Sequence, residues 1–214
     1  MLKSILPAFF FLMITLNLDA QQKFVPSTLI GADASVSFCR VSFDPAIAQS
    51  LLSNTSLGLV FRHVSEPHIG TQIELNYAGK GWIEARDTIG TYKRNLQVID
   101  MPVTAVFIAG SKKFRFAFTI GPYGSYRLHE KETIHIPDSR YYREYYLKTL
   151  ESNWEFGFTV GISTELYTAF GVFGARVTYC HSLTNLFPLS SDNYYYSASR
   201  SQTLNAGIVY FIEL

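Results

Sequence analysis

Beyond about residue 20, apolar and small or polar positions alternate in blocks of roughly ten residues, the period-two signature of a β-strand with two unlike faces. The first block runs from Leu29 to Phe38, with Ala32, Ala34, Val36 and Phe38 on one face and Asp33, Ser35 and Ser37 on the other. A shorter block, Leu57 to His63, sets Leu59 and Phe61 against Gly58, Val60 and Arg62. The third opposes Ile69, Thr71, Ile73, Leu75 and Tyr77 to Gln72, Glu74, Asn76 and Lys80, and the fourth opposes Ile99 through Phe107 to Asp100, Pro102 and Thr104. In the fifth, Phe114, Phe116, Phe118 and Ile120 face away from Arg115, Ala117, Thr119, Tyr123 and Arg127. Three further blocks complete the chain: Trp154 to Ser163, Phe173 to Tyr179 and Thr203 to Ile212. The pattern predicts an all-β protein of eight antiparallel strands.

The predicted connections alternate in length. Short turns lie near Ser65-Glu66-Pro67, Gly110-Ser111-Lys112-Lys113 and Glu165 to Thr168. Long segments join the other pairs: Arg40 to Ser56, Gly81 to Asn95, His129 to Ser152 and Ser182 to Arg200. Long loops confined to one end, with an even strand number, are the asymmetry of an up-and-down transmembrane β-barrel of the bacterial outer membrane. An eight-stranded barrel is just wide enough for its interior to be filled by side chains. The faces rich in Gly, Ser, Thr and Ala suit that lumen, and they also carry Asp33, Glu74, Asp100, Glu155 and Glu165 against Arg62, Lys80, Arg115, Arg127 and Arg176. Acids and bases in equal number are what a desolvated interior demands, since an unpaired buried ion costs several kcal/mol. The phenylalanine faces then meet lipid.

The N-terminus accounts for export. Lys3 precedes an apolar run from Ile5 to Leu16, too short for a membrane-spanning helix, which needs about 20 residues, and suited to a signal peptide cleaved after Leu18-Asp19-Ala20. The expected organisation is a signal peptide over 1–20 and a barrel domain over 21–214 in the outer membrane of a Gram-negative bacterium. Composition adds little to this picture. Eighteen basic against 17 acidic side chains give no electrostatic reason to expect nucleic acid.

Several segments resemble the PorT-type outer-membrane β-barrel family of Bacteroidota. Gln72 to Gly81 is similar to that family's ELxYxxKG segment, Leu96 to Val103 to its YLEIP strand with Asp100-Met101-Pro102 at the core, and Gly121-Pro122-Tyr123-Gly124 to its GPY turn. Tyr210-Phe211 suits an aromatic closing strand. The resemblance implies location and architecture, and its name suggests an accessory role in a secretion complex; fold alone names no activity.

Candidate chemistry is sparse. The mature chain has no metal-ligand cluster, phosphate-binding loop or nucleophile elbow, and no cofactor is expected. His63, His68, His129, His135 and His181 are scattered, although His129-Glu130 and His181-Ser182 fall near one rim, where a lipid-modifying enzyme or protease would act. Cys39 and Cys180 share the inward parity near that rim and are candidates for a disulfide in an oxidising compartment. Tyr141, Tyr142, Tyr145 and Tyr146, with Tyr194, Tyr195 and Tyr196, fall in long loops and suit either recognition or an interfacial aromatic girdle. The expected function is structural or interactive, through long extracellular loops. Expected partners are outer-membrane lipid and lipopolysaccharide, with a surface protein or glycan.

Overall fold

A computed structural model describes residues 24–86, 89–148, 150, 152–187 and 197–214; the expected signal peptide and Tyr194, Tyr195 and Tyr196 lie outside them. Eight strands form one closed ring in chain order: β1 (Ser27–Asp44), β2 (Leu52–Glu66), β3 (Ile69–Arg86), β4 (Gly90–Gly110), β5 (Phe114–His135), β6 (Trp154–Thr168), β7 (Gly171–Ser182) and β8 (Ala198–Glu213). Every neighbouring pair is antiparallel, and β1 closes against β8 from Leu29 opposite Glu213 to Asp44 opposite Ala198. Closure leaves no open edge where lipid covers the ring, which is what hydrocarbon requires of a sheet.

Strict alternation carries the outer surface. Val36, Phe38, Leu59, Phe61, Ile73, Leu75, Phe107, Phe116, Phe118, Phe158, Ile162 and Phe173 all stand exposed on the outside of the ring. Aromatic pairs such as Phe114–Phe116 and Trp154–Phe156 continue this apolar belt. A water-soluble barrel would bury these rings, whereas here the buried face holds Asp33, Arg62, Glu74, Lys80 and Glu165.

The strands are much longer than the apolar belt requires. β4 has 21 residues and β5 has 22, whereas about 9–11 tilted residues cross a bilayer. The segments expected as long loops from Gly81 to Asn95 and from His129 onward are therefore partly strand: β3 continues to Arg86, β4 begins at Gly90 and β5 continues to His135. The same holds for Arg40 to Asp44 in β1 and Leu52 to Thr55 in β2. The reason is visible in the parity. Trp82, Glu84, Tyr92 and Arg94 continue the inward face above Lys80 and Leu96, so strand formation does not stop where the lipid belt does. At the other end the turns are short: the β6–β7 connection is only Ala169-Phe170, so Glu165 belongs to the strand and not to the turn.

Two irregularities aim side chains. Pro102 has no N–H to offer the ladder, and the β3–β4 pairing skips Glu74 and Leu75 opposite Met101 and Pro102. A bulge at Gln97/Val98 leaves Leu128 of β5 without an opposite residue. The inward series Tyr123, Ser125, Arg127 thereby becomes Glu130, Glu132, Ile134.

The outer belt is open to direct test. Arg in place of Phe116 or Phe158 should cost about 2–4 kcal/mol in reversible unfolding from lipid vesicles, the penalty of a mid-membrane charge on a lipid face. The same substitution at Ser111, in a turn, should be neutral within about 0.5 kcal/mol.

Candidate functional site: the lumen and the loop end

From the turn end upward the interior begins with an apolar layer of Leu29, Val64, Val106, Ile108, Val172, Val209 and Phe211. Arg62 lies on this layer, its guanidinium 4.4 Å from the Phe211 ring centroid. It donates to both Glu165 oxygens at 2.7 and 2.9 Å and to Gln72 at 2.7 Å. Both partners of this ion pair are almost wholly buried, at 2% and 0% side-chain exposure, so their attraction is barely screened by water.

Two tiers follow, each built on a single base. Arg176 reaches Glu74 at 2.7 and 3.3 Å and Asp33 at 3.4 Å. Above it, Lys80 meets Asp100 at 2.9 Å and Glu155 at 3.2 Å, while the Tyr123 hydroxyl donates to Glu155 at 2.7 Å. Gly58 gives the lower tier its room. A Cβ there would fall 1.8 Å from Asn76 Oδ1 and 2.6 Å from Asp33 Oδ1, so no larger residue fits without displacing the polar row.

The remaining two bases of the expected lumen network sit apart from these tiers. Arg115 lies half-buried at the turn end, its guanidinium stacked 4.1 Å from the Tyr167 ring centroid. Arg127 pairs with Glu130 at 3.2 Å and donates to the Leu150 carbonyl and Asn153, which ties it to the β5–β6 connection.

A cluster that sequence reading missed occupies the loop end. Glu84 is completely buried. It accepts hydrogen bonds from Trp82 Nε1 at 3.0 Å, Arg143 Nε at 2.9 Å, Tyr146 at 3.0 Å and Tyr145. Beside it Arg94, also fully buried, binds Glu130 and meets Glu132 at 2.9 Å. It also donates to the Lys148 carbonyl. Burial pushes the Tyr92 phenol well above its ordinary pKa, so it remains a donor to Glu132 at 2.9 Å. Aromatic packing completes the seal, with Tyr92 stacked on Tyr146 at 3.9 Å and Phe43 against Trp82 and Tyr145 at 5.6 Å each. Glu132 accepts the Leu147 N–H at 3.0 Å, and Leu147 turns back through a left-handed conformation at φ 64°. The β5–β6 connection is thus folded down into the mouth of the barrel.

This arrangement corrects two expectations. Tyr145 and Tyr146 are buried at 4% exposure each and so are unavailable for recognition, while Tyr141 is exposed and Tyr142 half-buried. Their hydroxyls are used by Glu84, a residue placed in a loop by the sequence pattern. Cys39 and Cys180 are free, buried thiols and form no disulfide. Both stand opposite Thr203, one on each side of β8, so a whole strand separates them. Cys39 donates instead to the Gly79 carbonyl at 3.4 Å and Cys180 to Thr159 at 3.4 Å. The histidines also lie apart: His63 contacts Thr28 and His68 the Ile108 carbonyl near the turn end, whereas His181 touches Tyr179 and Gln202. Among the described residues none of them forms an ion pair with a carboxylate.

The sealed, lipid-belted ring is matched at the level of sequence. Residues 20–188 match the family described as "Outer membrane protein beta-barrel domain". The chain belongs to that family. Among curated proteins no sequence match is found. The fold is similar to the outer membrane protein OprG from Pseudomonas aeruginosa, at 12% identity and a TM-score of 0.55 over 91% of this chain and 99% of that one. It is also similar to Ail, the attachment invasion locus protein of Yersinia pestis, at 12% identity, a TM-score of 0.48 and coverage of 88% and 100%. Neisserial surface protein A matches at 11% identity and a TM-score of 0.47 over 87% and 99%. Family and fold together place this barrel in the Gram-negative outer membrane.

Two measurements check the interior. Glu84→Ala should remove the buried carboxylate that Trp82, Arg143 and both tyrosyl hydroxyls share, costing about 3–5 kcal/mol. Limited proteolysis should then cut within residues 136–150 while the lipid-embedded strands stay protected. Thiol titration under denaturing, non-reducing conditions should find both cysteines reactive in the protein and neither in the native barrel.

Proposed function

We propose that this barrel is a structural and interaction protein that engages a surface protein or glycan through its loop end, which faces the cell exterior. The observation that supports this most directly is the sealed mouth. Buried side chains fill the lumen from Phe211 to Trp82, so a passive pore has no aqueous path, and the surface left for work is the outside of the β3–β5 extension and its loop. That surface is polar and exposed at Lys131, His135, Arg140 and Tyr141. Arg140 is held in place by Asp138, whose carboxyl it keeps below the ordinary pKa range.

We further propose the PorT-type branch for this chain, on the segments around Glu74, Asp100 and Tyr123. A common physical role for these motif residues supports it, since all three side chains line the lumen. An accessory place in a secretion complex would suit that branch. Residues 1–20 are proposed to be the signal peptide. Lipid and lipopolysaccharide are proposed as the surroundings of the apolar belt.

Photo-crosslinkers placed at Tyr141 and Lys131 in intact cells should each capture a surface protein or glycan, and one at Lys113 in the opposite turn should not. Recovery of the uncrosslinked barrel alone from all three positions would overturn the interaction reading. N-terminal sequencing of the membrane-extracted protein should begin at Gln21.

A further inference from the structure

β2 begins at Leu52, opposite Cys39, so β1 from Arg40 to Asp44 pairs with β8 alone. The chain from 45 to 51 returns along that free edge with no ladder to β1. Instead the Gln49 side-chain amide accepts from the Val41 N–H at 3.1 Å and donates to the Val41 carbonyl at 2.7 Å. The Ser50 N–H donates to the Ile83 carbonyl of β3 at 2.9 Å. Held apart by these two anchors, the edge and the connection enclose an open cleft of about 390 Å³, whose walls include Arg40, Ser42, Gln49, Ser50, Leu51 and Gln202. We propose that this cleft binds the phosphorylated headgroup of an outer-leaflet lipid, with Arg40 holding the phosphate.

Among the residues lining the cleft, Arg40 carries the one charge. Its Nε donates to Gln202 Oε1 at 2.8 Å. Gln202 Nε2 and the Tyr179 hydroxyl each lie 3.4 Å from His181 Nδ1, so a row of polar side chains runs across the outside of β7, β8 and β1. The row fixes one edge of the guanidinium and leaves Nη1 and Nη2 with no partner among the described residues. Arg200 stands opposite Ser42 on β8, exposed and likewise unpaired. Asp44, further along the same face of β1, is bound by the Ser197 hydroxyl. Among the described residues it forms an ion pair with neither arginine. Two guanidiniums without a carboxylate complement an anion, and the planar fork of arginine matches the oxygens of a phosphate.

Depth chooses the source of that phosphate. Phe38 and Leu204 face each other in the row just below Arg40 and Gln202, and both are exposed on the apolar belt. Arg40 therefore stands where hydrocarbon gives way to headgroups, the level at which a long basic side chain meets lipid phosphate. Leu51 is exposed on the lip of the cleft and offers apolar surface to the first part of an acyl chain. A soluble glycan would need neither the depth nor the leucine. The inference rests on the loop end facing the cell exterior, which makes the lipid the phosphorylated glycolipid of that leaflet, lipopolysaccharide.

The full-length mature barrel, refolded in non-ionic micelles, is the protein to test, with monophosphoryl lipid A and its dephosphorylated form as probes and native mass spectrometry as the readout. Monophosphoryl lipid A should be retained as a one-to-one complex, about tenfold more tightly than the dephosphorylated form, the scale of a hydrogen bond between charged groups. Arg40→Gln should erase that ratio, and Lys113→Gln in the opposite turn should keep it; both positions are exposed, so neither change removes packing. Inorganic phosphate at the same concentration should not displace the lipid. Equal retention of the two lipids, an unchanged ratio in Arg40→Gln, or displacement by inorganic phosphate would overturn the proposal. Orientation is read separately, by a membrane-impermeant maleimide that should label Ser139→Cys in intact cells. Absence of label would overturn the outward-facing loop end and the outer-leaflet source with it, whereas label together with equal lipid retention would overturn the cleft alone.

Discussion

The ladder between β1 and β8, running from Leu29 opposite Glu213 to Asp44 opposite Ala198, joins the two ends of the strand order and decides what every other residue can do. Without it two rows of backbone donors and acceptors would face hydrocarbon, where each unsatisfied group costs several kcal/mol. With it, the ring is shut and the side-chain period of two decides the surroundings: within the lipid belt alternate residues meet lipid, and those between them enter a lumen filled by side chains. A one-residue slip at the seam would exchange Phe38 with Cys39 and Ala32 with Asp33, placing carboxylates in lipid. The register is therefore enforced from both faces at once.

The contents of the lumen follow from that enclosure. Charges cannot reach water, so each must find its partner across the ring: Arg62 of β2 meets Glu165 of β6, Arg176 of β7 meets Glu74 of β3, and Lys80 of β3 meets Glu155 of β6. These contacts join strands far apart in the sheet, and as cross-braces they resist flattening of the barrel in a way that a nonspecific apolar filling would not. Breaking any one of them strands a charge, which is why such pairs specify geometry more than they add net stability. The small residues around them, Gly58 above all, make room for long side chains reaching inward.

Much of this was legible in the chain because alternation is a local signal. The eight strands, the lipid-facing phenylalanines at 114, 116 and 118, and the inward parity of Glu74 and Lys80 could be read from period two alone. The ends of the strands could not. The alternating blocks of roughly ten residues stopped near Lys80 and resumed at Ile99, yet Trp82, Glu84, Tyr92, Arg94 and Leu96 keep the same parity, and that continuation was the available signal. On β5 the difficulty is deeper. The bulge that leaves Leu128 without an opposite residue shifts the inward face onto Glu130 and Glu132, and nothing local to the sequence announces it. Parity also placed Cys39 and Cys180 on one face near one rim without revealing that Thr203 stands between them.

The missed cluster bears on how the loop end can work. A tyrosine-rich loop invites a reading of recognition, because tyrosine presents apolar surface and a hydrogen-bonding tip at low entropic cost. Here the same properties are used inward: the rings of Tyr145 and Tyr146 pack on Phe43 and Tyr92, and their hydroxyls join Trp82 and Arg143 in satisfying the buried Glu84 carboxylate. Withdrawing them to meet a partner would leave Glu84 short of two of its donors and expose the Trp82 layer. A partner would have to supply more than that loss before it gained anything. Contact made instead by exposed side chains such as Tyr141 and Arg140 leaves the donors of Glu84 in place. The seal and the proposed contact surface can then be one loop, whose inner side is fixed by the lumen and whose outer side stays exposed.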